Sequence, residues 1–532
     1  MLIQLLKKWV NFRKQQNGAQ QEEEVPGANL PKNISRSLRK NMEMARTTLG
    51  DSNDVKIRQF AISSDNPVDA ALVFIDGLIS NDIITECIMK PLLLYGAQTK
   101  GNLIEEIKKR ILCAGDVTES AETEKLLQSC LSGDTILLVD GCSRGLIISS
   151  KGWDKRSVTE PQTEAVSRGP REGFTENFRT NTSLLRRKIR NPALRMDSFT
   201  IGEKTGTLVC VAYIKGVAEP SLIAEIKRRL SEINVDGILE SGYIEQYIED
   251  HPFSVFQTIG KSEKPDVVAA KLLEGRAAII VDGTPFVLTA PMLFTESFQM
   301  AEDYYVRTVY ASTVRLLRFC SFLLAVFAPA FFIAITTFHQ ELLPTTLMFT
   351  ISAAREGTPF PTVVEAILLL FAFEVLREAG LRLPRPVGQA VSIVGALVMG
   401  DAAVSAGLVG APMVVTIAIT AMAEFVTPDY QEAITLLRFV FIILSAVLGG
   451  YGILLGILVI LVNLASMDSF GVPYFSGVAP ARNQNMKDTF IRAPLWMMNR
   501  RPMEFARRDV TRQRSGRPPD DIGNAGQKGD KP

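Results

Sequence analysis

Two apolar stretches decide the fold of this chain: RLLRFCSFLLAVFAPAFFIAITTF (315–338) and FVFIILSAVLGGYGILLGILVILVNLASM (439–467). Each contains a run of roughly 18 or more apolar residues, enough for a helix that crosses a bilayer core of about 30 Å. A helix packed on a soluble core shows polar residues about every 3.6 positions, and none recur between Phe319 and Phe338. Backbone amides in lipid must bond within their own segment. Both stretches are therefore predicted to be helices of an integral membrane protein.

The remaining composition argues against a metal centre and against an enzyme. The chain has 532 residues, a formal net charge of +1 and six cysteines, which form no CxxC motif. That cysteine pattern is typical of a reducing compartment rather than of a disulfide framework. Neither His251 nor His339 stands at metal-ligand spacing from a cysteine or from the other histidine. Because Walker A, Gly-x-Gly-x-x-Gly and nucleophile-elbow motifs are also missing, we predict no cofactor, no metal site and no enzymatic activity.

The polar half has an α/β pattern that occurs twice. The corresponding segments are ALVFIDG (71–77), LIEEIKKRIL (103–112) and GDTILLVDGCSRGLIIS (133–149) in the first unit, and LVCVAYIKG (208–216), SLIAEIKRRLSEI (221–233) and GRAAIIVDGTPFVLT (275–289) in the second. Asp140 and Asp282 stand 142 residues apart, and Gly77 and Gly216 stand 139 apart. Near-equal offsets in separate elements indicate a duplicated fold.

Each unit contains an Asp-Gly pair between apolar runs, at Asp140-Gly141 and Asp282-Gly283. Such a pair is a strong hairpin signal, because glycine adopts the positive φ of a tight turn. The alternative is a carboxylate for phosphate or metal, but no glycine-rich loop opens a helix beside either pair. Turns are therefore predicted at both sites.

Between the two units lies a segment of mixed charge, residues 151–202, with few apolar residues before Leu184. A structureless stretch of that length inside a compact unit is uncommon, and it usually indicates a binding segment. Interleaved acids and sparse aromatics disfavour nucleic-acid binding. We favour an interface between subunits over a solvated linker, since arginine pairs well with carboxylates. The candidate interface residues are Arg168, Arg171, Glu172, Glu176, Arg186 and Arg187.

Two stretches are distinctive: SVTEPQTEAVSRGPREGFTENFRTNTSLLRRKIRNP (157–192) and, later in the chain, VRTVYASTVRLLRFCSFLLAVFAPAFFIAITTFHQELLPTTL (306–347). Together they resemble the A subunit of GerA-type spore germination receptors. The resemblance extends over about residues 50 to 500. It implies a subunit that works with a permease-like B subunit and a lipoprotein C subunit, responds to nutrients and releases ions from the dormant spore. It also implies the inner membrane of the spore as the location, with the nutrient pocket in the B subunit.

Basic residues around the apolar runs predict the topology. They cluster at 315–318, 377–385 and 482–514, and such residues mark cytoplasmic ends. Both termini and the α/β half are therefore expected in the cytoplasm, which requires an even number of membrane crossings. Six crossings meet this requirement, and five is the alternative count. The expected helices are 316–338, 363–381, 382–412, 413–426, 433–448 and 451–467, with an outer or re-entrant loop at 340–361 and a possible single long helix in place of the last two.

One acidic residue, Glu374, is predicted to lie at membrane depth, in the helix at 363–381. Ionisable residues are costly there, so they usually mark a functional path or a buried partner. Glu365, Arg377 and Glu378 lie nearer the ends of the same helix, where the headgroups accept charge.

The helix at 382–412 is dense in glycine, alanine and serine, and carries a stripe of Val391, Val394, Val398 and Asp401. Small residues let helices approach closely in lipid, so an ordinary packing helix is one interpretation. In a ring of identical subunits, the same stripe places valines at an axial constriction and an acidic ring beside it. These four residues are the pore candidates.

The prediction is therefore an α/β cytoplasmic region with two repeated subdomains, followed by an α-helical transmembrane domain. The expected boundaries are 1–50 for a tail and linker, 51–150 and 200–300 for the subdomains, 151–199 for a basic insertion, 301–470 for the membrane domain, 471–514 for a basic cytoplasmic segment and 515–532 for a disordered tail. The clear repeat lies in the polar half, which favours an oligomeric nutrient-gated cation channel. The alternative is a secondary transporter of a small solute such as an amino acid, which would show repeated hydrophobic halves.

Overall fold

The computed structural model consists of two five-stranded sheets followed by a block of helices. It describes residues 31–50, 52–62, 67–94, 103–152, 161, 164, 166–383, 400–479, 488–506 and 508–513. The predicted order, a duplicated α/β region and then an α-helical region, is confirmed.

The first sheet has the strand order β1-β2-β4-β5-β3, and all its neighbouring strands are antiparallel. Its strands are β1 Val55–Ile62, β2 Val68–Ile75, β3 Val117–Ser120, β4 Thr135–Val139 and β5 Gly145–Ile148. Its helices are α1 Leu38–Leu49, α2 Lys90–Leu94 after the π-helical Ile83–Met89, α3 Leu103–Glu106 continued by the π-helical Ile107–Ile111, and α4 Thr123–Leu131. Every residue of β4 is buried, because helices cover both faces of the sheet.

The second sheet repeats this topology, with the order β6-β7-β9-β10-β8. Its strands are β6 Leu194–Ile201, β7 Thr207–Ile214, β8 Gly260–Ser262, β9 Ala277–Val281 and β10 Val287–Ala290. Its helices are α5 Phe178–Lys188, α6 Pro220–Glu232, α7 Ser241–Ile248 and α8 Pro265–Leu273. Helix α5 lies inside the stretch predicted as an insertion, and its apolar residues belong to the core of this second unit.

Both Asp-Gly pairs form the predicted turns. Gly141 has a φ of 78° and Gly283 a φ of 89°, the left-handed backbone that favours glycine. The aspartates have a second role that the sequence analysis missed. Asp140 Oδ1 accepts a hydrogen bond from the Leu38 amide (2.8 Å), and Asp282 Oδ1 accepts one from the Phe178 amide (3.1 Å). Each turn thereby binds the first amide of the helix that opens its unit.

An asparagine supports the same helix entry in each unit. Asn41 accepts a hydrogen bond from the Ser35 amide and donates one to the Ser35 carbonyl. Asn181 makes the equivalent two bonds with the amide and carbonyl of Thr175. These identical side-chain contacts show that the duplication extends to the segments before the sheets.

The helical block contains α9 Thr308–Thr337, α10 Thr345–Arg355, α11 Thr362–Arg382, α12 Ala411–Phe425 and α13 Gln431–Ser466. Two helical spans, Thr308–Thr337 and Pro428–Ser466, have the length and apolar composition needed to cross a membrane. The predicted loop at 340–361 is wrong at residues 345–355, which form helix α10. Its sequence TTLMFTISAAR follows Pro344 and contains no glycine or proline, so nothing interrupts a helix there.

The span labelled α13 consists of two helices that run antiparallel on either side of Gly449. This confirms the predicted division of the last apolar run. Gly449 has φ 61° and ψ −141°, which no helix accommodates. A Cβ on Gly456 would lie 2.5 Å from the Phe441 ring, and one on Gly452 would lie 2.3 Å from the Leu444 carbonyl oxygen. In a continuous helix, residues 441 and 456 would stand about 22 Å apart. The chain therefore reverses at Gly449, and glycines allow the two halves to touch.

Candidate functional site: buried charges in the helical block

Four charged side chains meet between α11, α12 and α13. They are Glu374 and Arg377 on α11, Glu424 on α12 and Arg438 on α13, and we call them the charge quartet. Two carboxylates and two guanidinium groups give this cluster no net charge. The four members come from three helices, and Arg377 and Glu374 keep some exposure, at 21% and 18%.

Arg438 is the centre of the quartet. Its Nη1 atom lies 2.9 Å from Glu424 Oε2, and its Nη2 atom lies 2.7 Å from Glu374 Oε1. Arg377 pairs with both of the same carboxylates, so all four side chains form a closed ring of ion pairs. The planar guanidinium group suits this arrangement, because its donors point to two carboxylates at once.

Burial strengthens these contacts, most of all at the two innermost members. The side chains of Arg438 and Glu424 are 0% and 1% exposed. A charge in such surroundings is tolerated only when it is paired and hydrogen-bonded. Glu374, the acid predicted at membrane depth, has two cationic partners: Arg438, which is fully buried, and Arg377, which is 21% exposed. Glu424 and Arg438 were not predicted, although each is an ionisable residue within an apolar run, which is itself a signal.

A second buried acid, Glu365, fixes the beginning of α11. It is fully buried, and its carboxylate accepts hydrogen bonds from the Gly410 amide and the Thr358 hydroxyl, each at 3.1 Å. These bonds join the beginning of α11 to the loops that precede α11 and α12. The role of Glu365 is therefore to hold chain segments together.

The beginning of α9 carries a second ion-pair cluster. Arg315 Nε lies 2.8 Å from Asp303 Oδ2 and its Nη1 lies 2.8 Å from Asp488 Oδ1, while Arg318 Nη1 lies 2.8 Å from Asp303 Oδ2. By their position in the sequence, Arg315 and Arg318 are expected to mark a cytoplasmic helix end. The structure shows that both are buried and neutralised, so they also attach α9 to residue 303 and to the C-terminal segment.

The segment between the second sheet and α9 inserts aromatic rings into the helical block. Phe298 lies 5.6 Å from the Phe322 ring of α9 and 5.3 Å from the Tyr430 ring that precedes α13, measured between ring centroids. Tyr430 also donates a hydrogen bond to the Phe294 carbonyl. The second α/β unit is thus packed directly against the beginnings of two apolar helices.

Three of the four pore candidates, Val391, Val394 and Val398, lie outside the described residues. The fourth, Asp401, lies in a helical stretch, residues 400–405, that precedes α12, and it is exposed. Within the described part of the chain, Asp401 has no hydrogen bond or ion pair. Its carboxylate therefore faces the surface of this single chain.

The interface candidates divide into exposed and internal residues. Arg168, Arg171 and Glu176 are exposed. Glu172 is bridged within the chain, to Arg187 Nη2 at 3.1 Å and to Lys188 Nζ at 3.2 Å. Because these partners lie on α5, the acid stabilises its own unit.

Arg186 is the interface candidate whose side chain is buried inside the chain. Its side chain is 1% exposed, and its Nε and Nη2 atoms lie 2.6 and 3.0 Å from the two carboxylate oxygens of Asp54. The same Nη2 donates to the Ser52 hydroxyl at 3.2 Å. Burial alone would raise the pKa of Asp54, but the Arg186 charge and these hydrogen bonds hold that pKa below its ordinary value. Arg186 therefore joins the second α/β unit to the first.

An α/β pair joined to a helical block with two long apolar spans indicates a membrane protein with a large polar region. The chain belongs to the family described as Bacillus/Clostridium GerA spore germination protein, whose model matches residues 43–504. It is 46% identical to spore germination protein KA of Bacillus subtilis (strain 168), over 95% of this chain and 93% of that protein. It is 38% identical to spore germination protein GerLA of Bacillus cereus, over 88% of this chain and 96% of that protein.

These relationships confirm the resemblance inferred from the sequence, and they make the chain a germinant-receptor subunit of the A type. Both of these relatives are described as spore germination proteins. A solved structure, the N-terminal domain of the A subunit of the Bacillus megaterium spore germinant receptor GerK3, is 38% identical. It covers 50% of this chain and 99% of its own length, with a TM-score of 0.41.

Proposed function

We propose that this chain is the membrane-spanning A subunit of a nutrient germinant receptor and that several copies form a nutrient-gated cation channel. In this proposal it assembles with a permease-like B subunit and a lipoprotein C subunit in the inner membrane of the spore. Six crossings place both termini on the same side of the membrane, and the basic residues at 377–385 and 482–514 identify that side as the cytoplasm. Germination-family membership and the two long apolar spans support the membrane assignment.

The observation that carries the channel proposal is the exposed Asp401. A carboxylate beside apolar helices is costly in lipid unless it faces water or a partner. Within the described residues this chain gives Asp401 no partner, so water or another subunit must provide one. A ring of such carboxylates around an axis attracts cations, which is the arrangement that the preceding valines and small residues also favour.

The ion-pair cluster at Arg315 supports gating from the polar region. Asp303 binds both arginines of α9, and Phe298 packs between α9 and Tyr430. A displacement of the second α/β unit therefore moves the beginnings of α9 and α13 together. That rigid connection supports an opening signal transmitted from the cytoplasmic side.

The channel proposal predicts that Val398→Ala makes the receptor leak. Removing two methyl groups from a hydrophobic constriction weakens dewetting by about 1.6 kcal/mol, so basal cation flux should rise about tenfold. Asp401→Asn should reduce the open flux, because a neutral ring no longer offsets cation desolvation. The measurement is potassium efflux from liposomes that contain the purified receptor, with and without nutrient.

Val447→Ala is the matched control, since Val447 is an exposed valine on the helical hairpin. It should leave basal flux unchanged. If Val391→Ala, Val394→Ala and Val398→Ala all behave like that control while the protein accumulates normally, the pore does not follow this helix.

A secondary transporter remains the second candidate, favoured by the break at Gly449. Discontinuous helices are typical of solute sites in transporters. The same liposomes distinguish the two functions. A transporter would accumulate labelled amino acid against its gradient, whereas a channel would pass cations without accumulating the nutrient.

We also propose that the exposed residues of the stretch 168–176 contact a neighbouring copy of the chain. Arg171→Glu should then lower assembly several-fold without changing nutrient preference, because like charges would oppose each other at the contact. The measurement is the oligomer fraction of the purified protein by light scattering. Arg110→Glu is the control, since Arg110 is an exposed arginine of the first unit. Equal assembly of both variants would contradict the interface.

A further inference from the structure

A cavity of about 380 Å³ lies between the second α/β unit and the helical block. One wall comes from α8 and the turn before it. The other comes from Tyr304 and Tyr305, which precede α9, and from the loop Pro428–Asp429, which precedes α13. The cavity is distinct from the charge quartet and from the contact between the two α/β units.

Lys264 lines this cavity and has unused hydrogen-bonding capacity. Its side chain is 1% exposed, yet its Nζ atom has no hydrogen-bond partner among the described residues. The carboxylate within ion-pair distance is that of Asp266, and its Oδ2 atom is 3.9 Å away, too far for a hydrogen bond. Leaving a buried ammonium without hydrogen bonds is unfavourable, so this group needs an acceptor.

Asp266 has a carboxylate oxygen that lacks a hydrogen-bond donor among the described residues. Its Oδ2 atom accepts a hydrogen bond from the Tyr305 hydroxyl at 2.6 Å, while its buried Oδ1 atom has no partner in the described structure. The cavity thus holds a donor and an acceptor side by side, both unsatisfied. Of the other cations on its wall, Lys271 and Arg276 pair with Glu296, Arg512 lies 3.9 Å from Glu274, and Lys261 is exposed.

We propose that this cavity binds a phosphate monoester group or inorganic phosphate. At neutral pH such a group carries charged oxygens, which accept hydrogen bonds from Lys264, and in its singly protonated form a P–OH, which donates to Asp266. A carboxylate or a sulfate lacks that donor at neutral pH. The phosphate belongs either to a soluble metabolite or to the headgroup of phosphatidic acid, since the cavity lies where two apolar helices begin.

The test is thermal unfolding of the full chain in detergent, with inorganic phosphate and with sulfate at equal ionic strength. Phosphate at tenfold excess over its dissociation constant should raise the midpoint by about 2–4 °C, and sulfate should not. Lys264→Met should abolish the phosphate effect, while Lys215→Met, which removes an exposed lysine, should preserve it. Asp266→Asn should allow sulfate to stabilise the protein as well, because an amide also donates.

The source of the phosphate is decided by repeating the measurement in nanodiscs. Stabilisation by phosphatidic acid but not by phosphatidylglycerol, lost in Lys264→Met, identifies a lipid headgroup. Stabilisation by free phosphate without that lipid preference identifies a soluble ligand. If phosphate, sulfate and phosphatidic acid act equally on the wild-type chain and on Lys264→Met, binding is adventitious and the proposal is wrong.

Discussion

Replacing Arg438 by methionine is expected to abolish accumulation of the protein in the membrane. The substitution keeps the apolar stem of the side chain but leaves the Glu374 and Glu424 carboxylates with the Arg377 guanidinium alone to share. Breaking a buried ion pair by removing one partner costs about 3–5 kcal/mol, because the remaining charge stays desolvated. That loss is a large fraction of the roughly 5–15 kcal/mol that stabilises a typical domain.

Two further variants separate the charge from the packing. Arg438→Met combined with Glu424→Gln removes one positive and one negative charge, so accumulation should recover in part. Arg382→Met is the matched control, because Arg382 is 79% exposed and pairs with Glu378 on the surface of α11. An exposed pair of that kind contributes about 0–1 kcal/mol. Immunoblots of membrane fractions provide the measurement, and equal levels of Arg438→Met and Arg382→Met would show that the quartet is dispensable.

The elements that the sequence predicted correctly are those set by neighbouring residues. The Asp-Gly turns follow from the positive φ of glycine, and the sheets follow from apolar runs such as TILLV and AAIIV. The division of the last apolar run also has a local cause, because glycines at 449, 450, 452 and 456 weaken the helix and remove the side chains that would separate its halves.

The ion-pair partners were not predictable in this way. Glu374 and Arg438 are 64 residues apart, and Arg186 and Asp54 are 132 apart. The sequence indicates that Glu374 is buried but not which residue pairs with it, whereas Asp54 and Arg186 cannot be distinguished from surface groups until the fold brings them together. The sequence Leu184-Leu185-Arg186-Arg187 illustrates the difficulty, since two adjacent arginines have opposite environments. Helical geometry places them about 100° apart, so one faces the first unit and the other faces the surface.

The opposite environments of the adjacent residues Arg186 and Arg187 lead to the second prediction with a large expected effect. Arg186→Met should destabilise the contact between the two α/β units by about 3–5 kcal/mol, because it leaves the buried Asp54 carboxylate unpaired. Hydrogen exchange measured by mass spectrometry on the full chain locates the effect. The amide of Asn53, which donates to the Met196 carbonyl, and that of Met196, which donates to the Ser52 hydroxyl, should exchange faster. Arg187→Met is the control, since its half-exposed pair with Glu172 should matter little.

The pH dependence of hydrogen-exchange protection tests whether the Arg186–Asp54 contact is stabilised by charge. Because the folded-state pKa of Asp54 is lowered, its contribution is complete above the unfolded pKa of about 3.9 and is lost as the pH falls through the folded value. The wild-type chain should therefore lose protection at this contact as the solution is acidified below about pH 4. In Arg186→Met the unpaired carboxylate becomes protonated more readily, since burial raises its pKa, so acidification should narrow the difference between the two proteins. A difference that stays constant from pH 7 to pH 4 would mean that Arg186 acts by packing rather than by charge.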